Sequence, residues 1–138
     1  MRIELTRRGD YAVRLAIALA RDPGRQLTGA ALASATSVPA AFLPQVIGDL
    51  VRAGIVANRR GRRGGYRLAR QSDEISLLAV VEAVEGDGRR TTCVLRGGPC
   101  RRDGPCDVHE TFFRAQEALY GVLASVSLDA VGRADAPR

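Results

Sequence analysis

Between Arg7 and about Arg21, apolar residues recur every three or four positions: Tyr11, Leu15 and Leu19, flanked by Val13, Ile17 and Ala20. That spacing predicts an amphipathic helix with Thr6 as its N-cap. The "DPG" of Asp22–Gly24 ends it in a turn. Thr28 caps a short second helix, "GAALASAT". "SVP" at Ser37–Pro39 is a tight break, and Pro39 opens a third helix that runs to Ala53, with Gly54 stopping it at the C′ position. Its buried stripe is Phe42/Leu43, Val46/Ile47 and Leu50/Val51. The period then falls towards two. Ile55–Asn58 and Tyr66–Leu68 read as strands either side of a basic, glycine-containing turn, Arg59–Gly65. Ser76 caps a helix from Leu77 to about Val84, closed by Gly86. After a loop poor in apolar residues, a long helix begins near Glu110. Phe112, Leu119, Val122, Leu123 and Val126 trace one apolar seam along it at near-heptad spacing. "SLDAV" forms a last short turn, and "GRADAPR" reads as a disordered tail.

Helix, short helix, tight turn, longer helix, hairpin is the order of a winged helix-turn-helix. The fold class expected is mainly α with a small β-hairpin wing and a long C-terminal dimerisation helix. The seam of that helix has little left to pack on once the winged helix is complete, so a homodimer is expected to form through it. No apolar run of about 20 residues is present, so no transmembrane span is expected. The start, "MRIELTRRGD", lacks the apolar core of a secretory signal, and a cytoplasmic protein is the expectation.

Charge sharpens this picture. The 138-residue chain carries a net +6, unevenly spread. Residues 1–70 hold thirteen Arg against four acids, a balance of +9, and residues 71–138 hold eight Arg against eleven acids, a balance of −3. The N-terminal half therefore suits a polyanion. "RRGRR" puts Arg59, Arg60, Arg62 and Arg63 at the hairpin tip, within reach of phosphates or a narrow minor groove. Gln45 is the one good base reader near the start of the third helix, where Ala40, Ala41 and Phe42 offer only apolar contact to thymine methyls. Thr28 and Gly61 complete the candidate DNA-contacting set. Double-stranded DNA, in the form of a pseudo-palindromic operator read by a two-fold dimer, is the expected partner.

The stretch "CVLRGGPCRRDGPCDVH" holds all three cysteines and the sole histidine: Cys93, Cys100, Cys106 and His109, spaced C-x6-C-x5-C-x2-H. Thiolate and imidazole donors suit zinc or an iron–sulfur cluster. The long spacings on Gly- and Pro-rich segments favour wrapping a cluster over the short knuckles of structural zinc. Arg96, Arg101 and Arg102 stand ready to offset the negative charge of bound thiolates. The chain has no C-x-x-C, no Gly-rich phosphate loop and no second histidine to activate a nucleophile, so an enzyme is not expected.

Taken together, "LTRRGDYAVR", "FLPQVIGDLVRAGIV", "RGRRGGYRLAR", "ISLLAVVEAVEG", the three-cysteine loop and "VSLDAV" resemble the Rrf2 family of bacterial winged-helix regulators, IscR-, NsrR- and RirA-like. The resemblance covers about Leu5 to Val131. It implies a homodimeric transcription factor carrying a 2Fe–2S or 4Fe–4S cluster near the dimer interface. Cys93, Cys100 and Cys106 match the family's cluster cysteines. His109 matches the histidine of IscR-type 2Fe–2S sites, and Asp10 matches the carboxylate that NsrR-type proteins contribute to a 4Fe–4S cluster from the partner subunit. Outside that role, His109 is a helix-entry residue and Asp10 a surface carboxylate among Arg7, Arg8 and Arg14. Ala41 and Pro44 depart from IscR, which has base-reading polar residues there, whereas Arg60 and Gly61 match its groove-probing wing positions.

The reading is a regulator, taken as a repressor, whose operator binding is controlled by an iron–sulfur cluster sensing nitric oxide, iron or cluster status, or redox state. The alternative is a zinc-stabilised or thiol-redox DNA-binding regulator without a cluster. The domain boundaries expected are 1–75 for the DNA-binding domain, 76–131 for the cluster loop and dimerisation helices, and 132–138 for the tail.

Overall fold

Thr6 starts the first helix as its sequence suggests, with help from a distant residue. Its hydroxyl accepts the Gly9 N–H at 3.2 Å, capping α1, Arg7–Arg21. Its own N–H and hydroxyl both reach the Glu85 carboxylate, the N–H at 2.7 Å. A computed structural model describes residues 1–95, 97–100 and 104–134 of the chain. The expected roles of Arg96, Arg101 and Arg102 therefore fall outside the described residues.

The buried face of α1 is Gly9, Ala12, Leu15, Ala16, Leu19 and Ala20. Alanines four residues apart lie on one side of a helix and let neighbours come close. Tyr11, Val13 and Ile17, expected on the seam, are only half-buried at its margins. Against α1 pack α2 (Gly29–Thr36), α3 (Leu43–Arg52), α4 (Leu77–Glu85) and α6 (Leu128–Ala134). One hydrophobic cluster joins Leu15, Leu32, Leu43, Ile47 and Leu50 to Ile75, Val80, Val84 and Leu128. The C-terminal segment thus shares the core of the N-terminal half.

The third helix begins four residues later than expected. Pro39 to Phe42 form a turn, with the Phe42 and Leu43 N–H groups both donating to the Pro39 carbonyl, and helix starts at Leu43. Pro44 explains the shift. Its missing N–H costs nothing in a first turn, whereas a helix opened at Pro39 would place it further inside. Gly54 ends the segment at φ 73°, as the sequence suggests. Asp49, on α3, pairs with both Arg8 of α1 and Arg52, tying the first and third helices together.

Strands β1 (Val56–Arg59) and β2 (Gly65–Leu68) pair antiparallel, Val56 opposite Leu68 and Arg59 opposite Gly65. A third stretch joins them: Leu27 and Tyr66 exchange both backbone hydrogen bonds, at 2.9 and 2.8 Å. The wing is therefore bonded to the chain just ahead of α2. Gly65 sits at φ 152°, and a Cβ there would meet the Leu27 carbonyl oxygen at 2.7 Å.

Past a 3₁₀ turn at Ser72–Glu74, the Ser76 hydroxyl caps α4 by accepting the Ala79 N–H at 3.1 Å. The long helix α5 spans His109–Ser125 and has no buried residue. Leu119 and Leu123 are half-buried, while Phe112, Phe113 and Val122 stay exposed. Val126, expected on the helical seam, lies beyond the helix in extended conformation, its carbonyl accepting the Leu77 N–H at 2.8 Å. The expected last turn is a full helix, α6, reaching Ala134, three residues into the stretch read as tail; residues 135–138 are outside the described ones. No described helix is long and apolar enough to cross a membrane.

Replacing Gly65 by Ala should lower stability by about 1–3 kcal/mol in urea unfolding, because the left-handed backbone and the Leu27 carbonyl both oppose a side chain.

Candidate metal centre and nucleic-acid interface

The arginine-bearing tip is a product of two close-set glycines. Gly61 turns the chain at φ 106°, and the Gly64 N–H donates back to the Gly61 carbonyl at 2.9 Å. A Cβ on Gly64 would fall 2.4 Å from the Arg59 carbonyl oxygen. The turn holds Arg59, Arg60, Arg62 and Arg63 exposed. Thr28, whose hydroxyl accepts the Ala31 N–H at the start of α2, and Gln45 on α3 are exposed too. Ala40, Ala41 and Phe42 sit in the turn before α3 rather than on it. The Phe42 ring lies 5.9 Å from that of Tyr11, so this turn leans on α1.

The three cysteines converge. Their sulfurs all lie within 4.8 Å of one another, with Cys93 and Cys106 at 3.7 Å, well beyond a disulfide bond. Two thiolates on one tetrahedral metal, with bonds of about 2.3 Å, stand about 3.8 Å apart, so the pair fits a single metal atom. Cys93 is buried and the other two are half-buried. His109 is the first residue of α5, and its Nδ1 lies 3.4 Å from the Cys100 sulfur. Burial pushes the Cys106 thiol up from its ordinary value, and the Cys93 and Cys100 thiols push the same way against the Val108 N–H. Such a crowd of thiols favours a cation that takes up their charge. The donor set fits a thiophilic metal ion or an iron atom of a cluster. Asp10 is elsewhere engaged, bonded to Arg14 one turn along α1 at 2.8 and 2.9 Å.

A clamp ahead of the loop joins α4 to α5. Arg89 reaches Glu82 of α4 at 3.5 Å and Glu117 of α5 at 3.4 Å, and lies over the Tyr120 ring at 4.5 Å. Asp87 completes it at 3.1 Å. The Arg89 N–H, then its guanidinium, hold the Asp87 carboxyl below the usual aspartate range despite some desolvation. Sequence reading missed this clamp, because its partners lie nearly thirty positions away on a helix whose own pattern is dominated by the apolar seam.

Residues 5–134 match the Rrf2 family, described as iron-dependent transcriptional regulators. The chain belongs to the Rrf2 family. This Rrf2 protein is 31% identical to the transcriptional repressor NsrR of Streptomyces coelicolor over 123 residues, covering 88% of this chain and 82% of that one. It is 30% identical to the transcriptional regulator IscR of Cronobacter sakazakii over 128 residues, covering 91% and 78%. Its fold is that of CymR, the global cysteine regulator of B. subtilis, with a TM-score of 0.82, 24% identity and coverage of 98% of this chain and all of that one. The Rrf2 protein is thus a DNA-binding transcription regulator of winged helix-turn-helix fold, and not an enzyme.

In this Rrf2 chain, acid should loosen the segment from Asp87 to Cys93. Asp87 has its pKa lowered by folding, so its contribution is complete above the ordinary aspartate range and fades as pH falls through the lowered value. Amide protection factors in that segment, taken relative to the intrinsic exchange rate at each pH, should fall below about pH 4, and Asp87→Asn should bring the lower protection at neutral pH.

Proposed function

We propose that this Rrf2 protein is a repressor whose operator binding is governed by an iron–sulfur cluster held on Cys93, Cys100 and Cys106. The observation that carries this is the convergence of the three sulfurs within 4.8 Å on the segment between α4 and α5. His109 is the fourth ligand within this reading. What supports it over Asp10 of the partner subunit is the 3.4 Å approach of its Nδ1 to Cys100, while Asp10 is held by Arg14. A 2Fe–2S cluster accords with a histidine on one iron; a 4Fe–4S cluster is the counterpart if Asp10 takes the position.

When bound, the cluster supplies an iron site open to nitric oxide, to oxidants or to loss of iron. The chain's own residues do the rest. Three thiolates order the loop between α4 and α5. Glu85, at the end of α4, carries that order to the N-terminus of α1, and α1 meets the recognition segment through Arg8–Asp49 and Tyr11–Phe42. Two copies associate through the exposed face of α5, where Phe112 and Val122 are 39% and 62% exposed, with the half-buried Leu119 and Leu123 at its margin. Their wings and third helices then address half-sites about 34 Å apart. Thr28, Ala40, Ala41, Phe42, Gln45, Arg59, Arg60, Gly61, Arg62 and Arg63 form the DNA-facing set.

Anaerobic purification should give a coloured protein with iron and acid-labile sulfide, and the cluster-bound and cluster-free forms should differ in operator affinity. Equal affinities sink the switch. Zinc without iron or sulfide establishes the zinc-stabilised alternative, which the 3.7 Å pair of sulfurs would also accommodate.

At the wing, Arg60→Ala should cost about 1–3 kcal/mol of operator binding with relaxed sequence preference if Arg60 enters a groove. A loss equal on all sequences, with the salt slope falling by about one, makes it a phosphate contact instead.

A further inference from the structure

Cys93 is held in a way the other two thiols are not. It is 4% exposed, whereas Cys100 and Cys106 are half-buried. Its N–H donates to the Gly98 carbonyl at 2.6 Å, and its carbonyl accepts the Gly97 N–H at 2.9 Å. The same carbonyl accepts from the Arg90 guanidinium at 3.2 Å, and a second Arg90 nitrogen bonds the Thr92 carbonyl at 3.2 Å. Arg90 is fixed in turn from α5: its backbone N–H donates to the Gln116 side-chain oxygen at 2.6 Å.

Gln116 is seven residues beyond His109. Two helical turns bring a helix back to nearly the same face, about 10 Å further on. One face of α5 therefore carries His109 against Cys100 and, two turns along, Gln116 holding Arg90 and through it Cys93. Cys106 is fixed at the same helix's start, its carbonyl accepting the His109 N–H at 3.0 Å. Each of the three cysteines thus has a link to α5, Cys93 only through Arg90.

Resting on the reading of these thiols as metal ligands, we infer that Gln116 is a positioning residue: acting through Arg90, it pins Cys93 as the anchored thiol, while Cys100 and Cys106 are the thiols that open first. The physical basis is the difference in restraint. A loop of Gly, Pro and Arg has little apolar surface with which to fix itself, so backbone hydrogen bonds to an outside helix decide which part of it stays ordered. Gln116 supplies an acceptor that the Arg90 N–H would otherwise find only in water. A glutamate at this position keeps that acceptor, and a leucine of similar size removes it.

The test is alkylation of the reduced, metal-free full-length protein by iodoacetamide, with the rate at each cysteine read by peptide mass spectrometry. Cys93 should react about tenfold more slowly than Cys106. Gln116→Leu should raise the Cys93 rate about fivefold, the effect of losing one hydrogen bond, and leave Cys100 unchanged. Gln116→Glu should keep the slow Cys93 rate. A Cys93 rate equal to that of Cys106 overturns the inference, as does a Gln116→Leu variant within twofold of the parent or a Gln116→Glu variant that behaves like Gln116→Leu. A general rise at all three cysteines also overturns it, since it marks loss of fold rather than loss of one anchor. These outcomes are separate from the fate of the proposed function. If anaerobic reconstitution yields no iron–sulfur absorption, the cluster reading fails while the alkylation pattern still decides the role of Gln116.

Discussion

The close face of α1 is what the rest of the molecule is assembled on. Ala12, Ala16 and Ala20 present almost no side chain, and Gly9 presents none, so α4 and α6 approach the helix backbone while Leu15 and Leu19 fill the space between. At Gly9 the approach is tight: a Cβ would come within 2.4 Å of a Glu85 carboxylate oxygen. The same carboxylate bonds the exposed N–H of Thr6, so the end of α4 caps the start of α1. Both α3 and the segment leading to the cysteines thus refer to one element, α1.

Much of this was legible in the sequence where the causes are local. Thr6, Thr28 and Ser76 each cap the helix their position suggests, because a cap is an interaction over three residues. The wing followed from alternation and from the glycines around its arginines. The start of α3 was misread because two prolines compete for the same role. Pro39 offers a plausible first position, but Pro44 has to be kept within the first turn, and the later residue decides. The Leu27 bridge to Tyr66 carries no alternating pattern, since a single paired residue cannot show one. Val126 fits a helical period by number alone; its backbone is taken by Leu77, 49 positions back.

The cysteine centre divides in the same way. Its donors announced themselves by type and clustering, and the structure brings the three sulfurs together. What holds them was not legible. Arg89, Arg90, Gln116, Glu117 and Tyr120 look like ordinary polar surface in sequence, and only their meeting across α4, the loop and α5 gives them meaning. Ion pairs of this exposed kind contribute little singly. Their value lies in number and direction, as a set of restraints on a segment without a hydrophobic core of its own.

The bonded mount of the wing has a thermodynamic consequence. Ordering a flexible loop on binding costs conformational entropy for every backbone residue that becomes fixed, about 1–2 kcal/mol each. Here the Leu27 bridge and the Gly61–Gly64 hydrogen bond have already fixed the backbone of the hairpin in the unbound protein. Under the proposed role of the tip, only the arginine side chains would be left to order against a polyanion. Their reach is long and their aim adjustable, so the tip combines a settled main chain with four searching cations.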